Sequence, residues 1–255
     1  PGAGNSASGD IQLSTAASAS TGTVVLSTGS ATTNNAGNIT LSTGSSAESV
    51  GGSIQLLAGS SAAAAQGAGI VLRTSASSST ASSGSISVAT NAAATPGNVS
   101  LSVGDSFGPR PGDFAMTIGT SHVARGGRVL MQAGSTTGHE AMGGNVTLIA
   151  GDSSQARGGA VSVRAGNSGS LVGGAVHIFS GQSSGQASGD VLVETGEANL
   201  LSRSGDVVLR TGQSFKGQSG AVMITTGDSR ELAAGPINVT VGRSLLGPGG
   251  NLWLR

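Results

Sequence analysis

The carboxylates are the first residues to weigh, because two of them at one level can trade protons or hold a calcium ion. Asp10, Asp113, Asp190 and Asp206 each stand just ahead of an apolar residue, and Asp105, Asp152 and Asp228 each follow a glycine. Of these, only Asp190 and Asp206 fall in neighbouring copies of one local pattern, and Asp beside Gly is the ordinary composition of a turn. The calcium-binding string Gly-Gly-x-Gly-x-Asp does not occur. His122, His139 and His177 occupy three different places in the pattern, so a regular chain does not bring them to one metal. The chain has no cysteine, hence no thiolate site and no disulfide. No serine has a matching histidine and aspartate for nucleophilic catalysis. None of the Gly-x-Gly strings ends in the Lys-Ser/Thr of a phosphate-binding loop. The expectation is a protein that is not an enzyme, with no catalytic residue, no metal and no cofactor.

Modification and surface chemistry are the next possibilities. Four tripeptides match the N-glycosylation acceptor: Asn38-Ile39-Thr40, Asn98-Val99-Ser100, Asn145-Val146-Thr147 and Asn238-Val239-Thr240. In an extended chain the asparagine and the hydroxyl residue share one face and the apolar residue between them takes the other. Asn38, Asn98, Asn145 and Asn238 are therefore the candidate glycan acceptors, against the plainer view that outward polar positions are filled with Asn, Ser and Thr. Threonine recurs at Thr15, Thr28, Thr43, Thr74, Thr90, Thr195, Thr211 and Thr226, which raises ice binding. Alternation puts that column on the same face as the apolar residues, and the opposite face is mixed, so no flat hydroxyl lattice is expected.

All these residues are positioned by one repeat. Its pattern, Gly-x-Val-x-Leu-x-Thr-Gly-x-Ser, runs the length of the chain in seventeen copies. The first apolar position falls at Ile11, Val24, Ile39, Ile54, Ile70, Ile86, Val99, Phe114, Val129, Val146, Val161, Val176, Val191, Val207, Val222, Ile237 and Leu252, in steps of 13 to 17 residues and most often 15. The residue two positions on is apolar in every copy, and the residue two before is Gly except at Ala68. Apolar residues at every second position, rich in Val and Ile, predict a β-strand. Two glycines seven residues apart are read as corners that accept positive φ. The Ser or Thr of the following arm, as at Ser106, Thr136, Ser153, Ser183 and Ser229, is read as a small side chain facing Val and Leu across a thin interior. Identical repeats favour identical surroundings, so stacking is expected. The predicted fold is all-β: a parallel β-solenoid (β-helix) of about 17 coils with a repeat of about 15 residues and two glycine corners per coil, as a single domain over 1–255.

On the outward face of that arrangement, Phe179, Leu192, Val208 and Met223 fall in four consecutive copies. They form a candidate stripe for lateral contact with another chain. Glu194 and Arg210 are expected to pair across neighbouring copies. Composition narrows the remaining choices. Of 255 residues 45 are Gly, only 9% are charged, and twelve basic residues balance twelve acidic ones. That excludes a basic nucleic-acid surface. No apolar run is long enough to span a membrane. A first residue of Pro is read as the mark of processing or of an excerpt.

The strings Gly143-Gly144-Asn145-Val146-Thr147-Leu148 and Ser204-Gly205-Asp206-Val207-Val208-Leu209-Arg210-Thr211-Gly212 resemble the Gly/Ser/Thr-rich tandem repeats of β-solenoid surface and fibre proteins of microalgae and protists. More loosely, they resemble the β-helical shafts of secreted adhesins. The resemblance covers the whole chain and implies an extracellular or cell-surface glycoprotein without naming a functional residue. The expected function is structural: a building block of an extracellular fibre or filament, with copies of itself as partners end to end and laterally, and glycans as possible additions. The alternative is the shaft of an adhesin or binding module. Ice binding and a polysaccharide-active enzyme rank below both.

Overall fold

In a computed structural model of the chain, residues 8–61, 67–75, 82–108, 110–123, 125–139, 141–199 and 202–254 are described. Pro1 and Arg255, where end-to-end stacking of copies would join, lie outside them. The chain divides into two units, Pro1–Gly127 and Arg128–Arg255.

Each repeat has two parts. The first is an extended segment, from the glycine ahead of the first apolar residue to the second glycine. The second is a short loop that returns to a neck. In the second unit the neck is closed by a backbone hydrogen bond in four successive repeats. The N–H of Gly144 donates to Gly134 O at 2.9 Å, Gly159 to Gly151 O at 2.9 Å, Gly174 to Gly166 O at 2.9 Å, and Gly189 to Gly181 O at 3.0 Å. The first unit has the same closure from Gly52 to Gly44 O (3.0 Å) and from Ala68 to Gly59 O (3.1 Å).

The residue just before the second glycine decides which necks close. Where it is small, at Ala58, Ala133, Ala150, Ala165 and Ser180, the bond forms every time. Where it is Thr, Val or Ile, only the repeat of Thr43 has the bond among the described residues. The cause is steric. A Cβ added to Gly159 or Gly174 would lie 3.3 Å from the Cβ of Ala150 or Ala165, so the neck glycine sits against this side chain and a β-branched residue holds it off. Threonine gives a partial substitute: the hydroxyls of Thr28 and Thr43 donate to Gly37 O and Gly52 O at 3.1 Å. Ala133, Ala150, Ala165 and Thr211, all in this column, are the half-buried positions among the described residues, and the others are exposed.

The β-solenoid, or β-helix, is not formed. Among the described residues there is no strand and no helix. The backbone bonds close necks within a repeat, apart from one within a bend, Ala141 N–H to Gly138 O. Few residues twelve or more apart approach one another. The chain is irregular and coil-rich, its segments extended but unpaired. Two physical causes stand behind this. Each repeat offers one Val and one Leu for burial, too little to offset the ordering of a glycine-rich chain. In addition, the serines supply local side-chain-to-backbone bonds that compete with a ladder. The corner reading of the glycines changes as well. No described glycine has φ in the left-handed region; the first glycine of a repeat is needed for close approach at the neck, whereas Gly44, Gly166 and Gly181 have open space where a Cβ would stand.

No interior exists to separate inward from outward positions: Val161 is 57% exposed and no described apolar side chain is buried. Val161→Asp is therefore expected to perturb the dilute chain no more than Ser162→Asp, each by less than about 0.5 kcal/mol. Far-UV circular dichroism during heating checks this. Both variants should give the same broad, non-cooperative profile as the parent, and a cooperative transition lost only in Val161→Asp would contradict it.

Candidate functional site

The best-ordered chemistry in the chain is the loop bend. Two residues past the second glycine, a hydroxyl accepts backbone N–H groups two or three residues on. Ser153 Oγ accepts from Ala156 at 2.9 Å, Ser168 Oγ from Leu171 at 2.9 Å, and Ser183 Oγ from Gln186 at 3.0 Å. Ser214, Ser229 and Ser244 repeat the arrangement toward Gly217, Leu232 and Gly247. Thr136 accepts from Gly138 at 3.2 Å. Ser106 accepts from Gly108 and donates to Arg110 O at 2.9 Å. Ser106, Thr136, Ser153, Ser183 and Ser229 thus fold the bend and do not face Val and Leu across an interior. The Gly-x-Ser string carries that signal, since a serine in a turn commonly bonds the backbone ahead of it.

The glycan acceptors lie in the extended segments. Asn38, Asn98 and Asn145 each occupy the position between the neck glycine and the first apolar residue, and Asn238 the position between the two apolar residues. All four are exposed. Three of them directly precede Ile39, Val99 and Val146, so a glycan there would stand beside the apolar column.

Phe179, Leu192, Val208 and Met223 are exposed, one on each of four successive extended segments. No backbone bond joins those segments to one another. Within its own segment Phe179 stacks on His177, ring centroids 5.7 Å apart and planes 12° apart. That contact follows from extension, which puts residues two apart on one side.

The charged residues do not gather. Among the described residues the ion pair is Arg203 to Asp206, 2.7 Å, both well exposed. Such a pair contributes less than about 1 kcal/mol. Glu194 and Arg210, expected to pair, do not, and Asp206 is turned to Arg203 instead of sharing a site with Asp190. No group of three His, Asp or Glu side chains converges among the described residues. The concavities are open and each belongs to one stretch of chain, as at Val71 to Ser75, or at Arg210 to Gln213 with Ser219. No helix among the described residues is long and apolar enough to cross a membrane. Comparison with known protein families, curated proteins and solved structures gives no match.

Proposed function

We propose that this chain is a structural protein, the building block of an extracellular fibre or filament, and that its partners are copies of itself. The observation that carries the reading is the exposure of every described apolar side chain, although apolar residues recur at two positions of every repeat. Apolar surface in a regular array is driven to find cover. A chain with 9% charged residues and zero net charge offers little repulsion to oppose it. Outside the cell, the exposed Asn38, Asn98, Asn145 and Asn238 are open to glycosylation, which would add solubility beside the apolar columns.

The test uses the chain secreted from a eukaryotic host. Light scattering and negative-stain microscopy across a concentration series should show species well above 24.2 kDa that grow with concentration into filaments. Enzymatic removal of N-glycans should lower the intact mass. A monodisperse monomer at every concentration would overturn the fibre reading. An intact mass that enzymatic treatment leaves unchanged would overturn the glycan part alone.

A further inference from the structure

We infer that copies of this chain associate through the two apolar columns of the second unit, and that the contact accepts offsets of whole repeats. The inference rests on the self-association reading above and goes further, to the surface used and to its lack of a single register.

The amount of surface excludes a closed dimer as the end state. The chain exposes 26432 Å². A compact chain of 24.2 kDa would expose on the order of 10,000 Å², and an unfolded one about 35,000 Å². The surplus over a compact chain is roughly 16,000 Å² per copy. An obligate dimer interface covers about 2,000–5,000 Å² counted over both partners. One neighbour therefore leaves most of the surplus uncovered, and each copy has surface for several.

The spacing sets the register. From Val146 through Val161 and Val176 to Val191 the steps are all 15 residues, and they are 15 again from Val207 through Val222 and Ile237 to Leu252. The second column follows at Leu148, Val163, Ile178, Val193, Leu209, Ile224, Val239 and Leu254. A copy shifted by one repeat meets the same residue types at the same intervals and loses contact only at its end. The first unit, with steps from 13 to 16 residues, does not offer that equivalence. The partner is a second copy because only this chain carries a matching column at this interval. Phe179, Leu192, Val208 and Met223 lie between the column positions and do not recur in every repeat, so contact led by that stripe would select one register.

A benzophenone side chain placed at position 161 of the full chain distinguishes these outcomes. After irradiation of the assembled material, cross-links mapped by mass spectrometry should reach at least three column positions of the neighbouring chain, near Val146, Val161, Val176 and Val191, about one repeat apart. Attachment at a single site, or at loop positions without that interval, would overturn the sliding register while leaving self-association standing. Absence of any cross-linked dimer across the concentration range would overturn both.

Discussion

Aspartate at Val161, Val176 and Val191 together is expected to hold the chain monomeric where the parent assembles. In the single chain these positions are exposed, so the substitutions leave its local structure intact. In an assembly that covers the column, each carboxylate enters an apolar contact without a partner, at a cost of roughly 2 kcal/mol or more. Three of them should raise the concentration needed for assembly by more than about a thousandfold. A control with the same added charge in the loops, Asn167→Asp, Gln182→Asp and Gln186→Asp, should assemble nearly as the parent does. Sedimentation velocity over a dilution series reads the difference. Loss of assembly in both variants would point to net charge as the cause, and retention in both would remove the column from the interface.

The second large effect concerns two glycines that look alike in sequence. A Cβ on Gly174 would meet Ala165 Cβ at 3.3 Å, Gly166 N at 3.3 Å and Gly166 O at 3.5 Å, whereas one on Gly181 meets nothing within 4 Å. Gly174→Val is expected to open its neck, because two of those three neighbours are backbone and cannot turn away. Losing a bond of about 1 kcal/mol should speed amide exchange at residue 174 about fivefold. Gly181→Val should leave the neck bond from Gly189 in place and its exchange unchanged. Amide exchange followed by nuclear magnetic resonance checks both positions. Equal acceleration at the two necks would contradict the steric account.

These two glycines also show how far the sequence could be read. The repeat, its period and the extension of Gly159–Ala165 were legible, because alternation and glycine spacing are local properties. The stacking of repeats was not. Whether an extended segment pairs depends on the surface its neighbours offer, and one Val and one Leu per repeat do not supply enough. The neck was partly legible: Ala165 and Thr211 occupy the same column, yet the first lies beside a closed neck and the second beside an open one, a difference of side-chain bulk visible in the letters. The bend at Ser183 was legible as a serine turn and was masked by the assumption of an interior. The four glycan acceptors follow from a motif alone, and their exposure adds accessibility without adding occupancy.

The closed necks have a mechanical consequence. When a chain is pulled from its ends, a loop such as 166–174 lies outside the line of force, its eight residue steps held back by the bond from Gly174 to Gly166. Parting that one bond adds roughly 27 Å of contour. Four successive loops of this kind, from Gly134 to Gly189, make that stretch a series of slack reserves that yield one at a time. Repeats with threonine, valine or isoleucine in the same column have largely given up that reserve already. The tensile behaviour of the chain is thus graded along its length by whether one side chain per repeat is alanine-sized or branched.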